Sequence, residues 1–423
     1  MILNKITILP HQKNPPYIAR ISSAGWLVLI AIALLAEGSL VLAAEMSPVG
    51  QTAWNSRMRS LGVSLTSLFS DLLEDSVTSA DGDSARQERI QKGALKLSEQ
   101  AHQLRELDGL DPGMRIFAAS LSSETAHGAA MWKEGHRAYA RNVLLRSASL
   151  CMECHTRAPG PSVPATELGI QSADPLLKAT TLAAIRDFDA SLAEVRRGIG
   201  DEEFRRAHPF EWERFIRLGL QISVRARQSP NEGLVLVDQV LKLKDLPPIF
   251  REDVESWKSQ LKSWSKENEF KEKTKKAAPE TEATAWKEVR QLAEGLSSRS
   301  KFAFDRGAEI SALRLSSALH VFVQAYPGTK HLGEALELQG TAYELLRPTA
   351  LWNAAESFWA ACIHAAPHSE DASRCYRRLE DSVMAGWTGS SGMSIPKGVR
   401  ERLMDLRQLS GPAPVQRDGK RMP

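Results

Sequence analysis

Apolar residues recur along this chain at helical spacing, and no run of strict alternation interrupts them. Between Ser47 and about Arg157 the pattern predicts four helices. In the first, Trp54, Met58, Leu61, Leu65, Leu68 and Leu72 fall at alternating intervals of four and three, a stripe along one face. Asp81-Gly82-Asp83 breaks it. The second helix repeats the pattern with Ile90, Ala94, Leu97, Ala101 and Leu104. It stops at Asp108-Gly109-Leu110-Asp111-Pro112, where Asp111 can cap a third helix and Pro112 can take its first position. The third carries Met114, Phe117 and Leu121 and ends at Gly135. The fourth runs from about His136 through Ala140, Leu144, Ala148 and Cys151 to His155, before Gly160-Pro161 and Pro164 forbid further helix. Short loops imply antiparallel neighbours, so residues 45–160 are expected to form an up-down-up-down bundle whose own core lets it fold independently.

Beyond the Pro-rich break the helical pattern resumes. Segments at about Pro175–Arg197, Pro209–Arg227, Gly233–Leu243 and Arg251–Trp264 make a helical region over 166–265. Residues 266–284, beginning Lys266-Glu267-Asn268-Glu269, mix charges with little to bury and read as a linker or an exposed helix end. A further helical domain spans 285–385, and the Gly/Ser/Pro-rich residues 386–423 read as a flexible tail. Within the last domain Ala325-Tyr326-Pro327-Gly328 returns as Ala365-Ala366-Pro367-His368, each between two amphipathic helices. This is similar to tetratricopeptide repeats, although the forty-residue interval exceeds their usual period and their full consensus is absent. The resemblance implies an α-solenoid of helix pairs with a surface for docking a protein partner.

Composition agrees with an all-α fold. The 423 residues are 43% hydrophobic, 25% charged and 6% aromatic, ordinary for a globular chain of two or three domains. The formal net charge of +3 falls to +1 without the first 44 residues, which hold Lys5, Lys13, Arg20 and Glu37. Such a balance gives no reason to expect nucleic acid as a partner. Those 44 residues read as a targeting segment: a basic start, an apolar stretch from Ala24 to Ala44 interrupted by Glu37, and small residues at its end. It is either a cleaved signal peptide or an uncleaved inner-membrane anchor, and both put the remainder outside the cytoplasm, in the periplasm.

Candidate chemistry concentrates at Cys151-Met152-Glu153-Cys154-His155. C-x-x-C-H is the attachment spacing of a c-type haem: two thiols bond to the vinyl groups and the histidine ligates iron. Residues at i, i+3 and i+4 share one helix face, so the three side chains point at one object. No second C-x-x-C or H-x-x-x-H accompanies the motif to complete a zinc site. A helical unit with C-x-x-C-H near the end of its fourth helix resembles the class II c-type cytochromes, the cytochrome c-prime family, over roughly Met46 to Pro161. That resemblance implies one haem c per chain at one end of the bundle, with His155 as proximal ligand. The sixth position in such proteins is open or filled by a first-helix Met, which points here to Met58, with Met46 the runner-up and Trp54 a packing residue over the ring. His102, His127 and His136 are expected on solvated helix surfaces, and Arg146 and Arg157 are candidate propionate partners whose ordinary alternative is a solvated position.

Cys362 and Cys375 flank the Pro367 corner on helices that should run antiparallel, so they form either a disulfide or two buried thiols. Altogether the chain reads as an exported monohaem electron carrier with an unidentified redox partner protein, not an enzyme. The alternative is a five-coordinate haem module that binds nitric oxide or carbon monoxide.

Overall fold

A computed structural model describes residues 48–73, 84–107, 110–157, 174–274, 281–299, 305–346, 354–390 and 392–412. Residues 1–44, where a targeting segment is expected, Met46, the breakers Asp81–Asp83 and Gly160–Pro164, and the end of the tail lie outside those residues. The fold is all-α. Sixteen α-helices, a π-turn at Ile222–Ala226, a 3-10 turn at Arg306–Ala308 and one two-residue hairpin pair, Thr388–Gly389 with Gly392–Met393, make up the described elements. No described helix is long and apolar enough to cross a membrane.

The first four helices are α1 Pro48–Leu72, α2 Ser84–Arg105, α3 Pro112–Lys133 and α4 Arg137–His155. Their directions alternate, as the bonds between ends record. Arg57 near the start of α1 donates to the Gln103 carbonyl near the end of α2, Trp132 late in α3 to Gln87 early in α2, and Arg141 early in α4 to Leu72 at the end of α1. All five stripe residues of α2 are buried, as are Leu61, Leu65, Leu68 and Leu72 of α1 and Ala140, Leu144, Ala148 and Cys151 of α4. The Asp111 side chain accepts from the Gly113 and Met114 amides with Pro112 at the first turn, and Gly135 turns the chain at a φ of +90°.

The middle of the chain forms α5 Pro175–Ala184, α6 Phe188–Gly200, α7 Glu202–Ala207, α8 Pro209–Gln221, α9 Pro230–Leu241 and α10 Pro248–Thr274. One helix expected at Pro175–Arg197 is two. Arg186 adopts a left-handed φ of +65°, and Asp187 caps the next helix by accepting from the Ala190 amide. A π-turn over Ile222–Ala226 extends α8. Of residues 266–284, read as a linker or an exposed helix end, 266–274 are the end of α10, where Glu267 pairs with Arg314 at 2.7 Å, and 275–280 lie outside the described residues. An amphipathic helix needs only one anchored side, so a charged stretch can remain helical.

The last helices are α11 Glu282–Arg299, α12 Glu309–Ala325, α13 Leu332–Leu346, α14 Ala354–Ala365, α15 Glu370–Gly386 and α16 Lys397–Ser410. Each packs on its successor, α13 also meets α15, and α14 meets α16. Cys362 and Cys375 are joined by a disulfide between α14 and α15, with Cα atoms 6.4 Å apart. The expectation of a flexible tail from residue 386 is also corrected: α16 buries Leu403 and Leu406, and the Leu409 carbonyl accepts from the His368 amide at 2.7 Å.

Residues 46–423 form one compact unit containing two apolar cores. One core joins α1–α4 to α13–α16, and the other spans α5–α13. The expectation that residues 45–160 keep a private core therefore gives way. Phe117 of α3 packs edge-on to Phe358 of α14 and lies 5.7 Å, centroid to centroid, from Tyr343 of α13. The end of α4 is where the cores meet, with Cys151 in one and Met152 in the other.

Candidate functional site

Helix α4 becomes almost entirely buried over its last turns, from Ser147 to Glu153. Cys151, Cys154 and His155 share one face. Both thiols are free, and burial pushes each up to about 12, so they are held protonated. Burial, with a smaller contribution from the Arg186 guanidinium, pushes His155 down to about 4 and keeps its imidazole neutral. Its Nδ1 bonds to the Ala184 carbonyl. That oxygen belongs to the last residue of α5, beyond which Arg186 turns the chain, so the break in the expected helix presents the acceptor. With Nδ1–H donating to a carbonyl, the lone pair lies on Nε2, the arrangement of a metal-ligating histidine.

This donor set suits a covalently held haem. Two thiols and a nitrogen ligand lie on one helical face, and a backbone acceptor fixes the tautomer. Among the described residues no three His, Cys, Asp or Glu side chains converge to hold a bare metal ion. C-x-x-C-H chemistry asks the cysteines for carbon–sulfur bonds and leaves iron to the histidine alone. Met58 is half-buried on α1 and packs against the core that contains Cys151. Because Arg141 meets Leu72, counting equal numbers of residues back along α1 and forward along α4 brings Met58 level with His155. His102, His127, His136 and Arg146 are exposed, and Trp54 lies on α1.

Arg157 departs most from expectation: it is only 3% exposed. Its guanidinium stands 4.7 Å from the Phe117 ring centroid and within 5.5 Å of those of Tyr343 and Phe358, and it donates to the Tyr343 hydroxyl. Gly113 makes room for it, since a Cβ there would come within 2.6 Å of Arg157 Nη1. Tyr343 in turn donates to Glu153 Oε2 at 2.9 Å. Arg225, carried by the π-turn, pairs with the same oxygen at 2.7 Å, and Gln221 donates to Oε1 at 3.0 Å. Glu153 thus sits inside the cysteine motif while its carboxylate is satisfied by α8, its π-turn and α13. Sequence reading missed Glu153, Arg225 and Tyr343. The available signal was a lone carboxylate ending the uncharged run Ser147–Met152.

Asp111 and His320 adjoin this network, with Oδ2 and Nδ1 3.5 Å apart. Burial pushes the His320 pKa down more strongly than Asp111 raises it, so the imidazole is neutral. An unfolded imidazole takes up a proton as pH falls through about 6.5, whereas the folded one resists. His320 therefore contributes stability that is complete above the ordinary imidazole value and is lost below it. The expected result is a smaller acid loss in His320→Gln than in the native chain, read from urea midpoints at pH 7 and 5. Equal losses in both proteins would rule this role out.

No protein-family model, curated protein or solved structure matches the chain.

Proposed function

We propose that this protein is an exported monohaem c-type cytochrome that passes single electrons to a partner protein. Cys151 and Cys154 would hold the haem covalently and His155 would ligate its iron. The observation that carries the reading is the anchored imidazole: His155 Nδ1 on the Ala184 carbonyl, beside two free thiols on the same helical face. Haem supplies one-electron redox chemistry when bound, at a potential set by axial ligation and burial. The chain's own part would be to fix His155, exclude water with the surrounding core and offer Met58 as a further iron ligand. The alternating directions of α1–α4 support a class II-like bundle, and the stacked helices α11–α16 support a tetratricopeptide-like surface for the partner. The basic start and apolar stretch before Glu45 support export.

In a denaturing gel stained for haem, the native chain should retain the stain and Cys151→Ala/Cys154→Ala should lose it. A stained double variant would refute covalent attachment at this motif. The reduced native protein should bind carbon monoxide poorly, and Met58→Ala should bind it readily. Ready binding by the native protein would leave Met58 a core residue and favour the gas-binding alternative.

A further inference from the structure

Between α15 and α16 the chain passes through its hairpin, and every described residue from Ala385 to Ser394 is exposed. The Ser394 amide donates to the Trp387 carbonyl at 3.1 Å, which sets Trp387 opposite Ser394, one step from the pair Thr388 and Met393. Neighbouring positions of a paired strand project to opposite faces, so Trp387 and Met393 occupy the two faces of one ribbon. They are 43% and 57% exposed. From Ser382 to Arg400 the sequence holds no carboxylate, and Asp381 and Glu401 bracket that stretch.

The helix that follows adds charge. Leu403 and Leu406 hold α16 to the body, which leaves Lys397, Arg400, Met404 and Arg407 exposed. Arg400 donates to the Ile395 carbonyl at 3.1 Å, so its guanidinium stands at the foot of the hairpin. Glu401 offsets Lys397 from 3.7 Å, and Asp405 is the one other carboxylate of α16. Residues 386–423 carry a net charge of +4, against −3 for residues 45–385. A basic end on an acidic body fits an anionic partner.

We propose that the hairpin and α16 form a docking surface for an anionic lipid bilayer, with Trp387 and Met393 entering the headgroup region and Lys397 and Arg400 meeting lipid phosphates. A flat protein partner would cover one face of the ribbon and leave the apolar side chain of the other face in water. A bilayer surrounds both faces. Tryptophan suits its interface, where the ring is buried and the indole N–H stays wet.

The test is cosedimentation of the compact unit 46–423, which omits the apolar stretch Ala24 to Ala44, with lipid vesicles. Vesicles of phosphatidylglycerol and phosphatidylcholine in equal parts should bind it saturably, and pure phosphatidylcholine at least roughly tenfold more weakly. Added salt should weaken the binding. The double variant Trp387→Ser/Met393→Ser should lose about tenfold or more, and Lys397→Gln/Arg400→Gln about fivefold for each charge. These side chains are exposed, and urea midpoints check that both variants keep the fold. Absence of binding to the anionic vesicles overturns the proposal. So does equal binding to both kinds of vesicle, or unchanged affinity in a folded Trp387→Ser/Met393→Ser. Tighter binding to poly-glutamate than to the anionic vesicles also overturns it and assigns the surface to an acidic protein. If a variant does not fold, the comparison of vesicles and poly-glutamate on the native sequence decides.

Discussion

Arg225→Met should destabilise the protein by about 3–5 kcal/mol, the range for removing one partner of a buried ion pair. The Arg225 side chain is 0% exposed and the Glu153 side chain 1% exposed, so water cannot take the place of the missing guanidinium. Tyr343 and Gln221 would be left to satisfy a carboxylate in the middle of the cysteine motif. Much of the cost is that stranded charge, so Glu153→Gln combined with Arg225→Met should recover a large share of it. Urea unfolding of the native chain, both single variants and the double variant closes the cycle. A loss under about 1 kcal/mol for Arg225→Met would mean the pair is effectively solvated.

Residues 46–161 expressed alone should not unfold cooperatively. Separation from α13–α16 exposes Phe117 and strips Arg157 of Tyr343 and Phe358, along with the rest of the shared core. Losing one large aromatic from a core typically costs about 3–5 kcal/mol, and a whole domain is stable by only about 5–15 kcal/mol. By contrast, a native chain cut by protease at a site inserted within 158–173 should keep its two pieces together through size-exclusion chromatography. A fragment 46–161 with a sharp unfolding transition at the native midpoint would restore the picture of independent domains.

The sequence shows a helix's buried face more readily than its ends or its charged partners. Ile90, Ala94, Leu97, Ala101 and Leu104 define one side of α2 because burial repeats at the helical period. The same reasoning ran a helix through Ile185–Asp187, because the left-handed residue there is Arg186, with none of the usual glycine signal. It undervalued α16, whose buried Leu403 and Leu406 stand three apart after a glycine-rich stretch. At the site, Cys151, Cys154 and His155 stand out by spacing, which a local pattern records. The partners of Glu153 and Arg157 come from helices far along the chain. Arg225 reaches Glu153 from a π-turn, and tertiary proximity of that kind leaves no periodic trace.

The acceptor that orients His155 is a main-chain oxygen, and this changes how the site tolerates mutation. Had a carboxylate side chain held the imidazole, one codon change could have removed it. Every residue type at position 184 supplies a carbonyl, so substitutions there test the packing of a small side chain while keeping the bond's chemistry. Inheritance of the histidine's orientation therefore resides in the path of the α5–α6 turn. Drift in side chains leaves that orientation intact, while an insertion or deletion between Ala184 and Asp187 shifts the acceptor by a whole peptide unit.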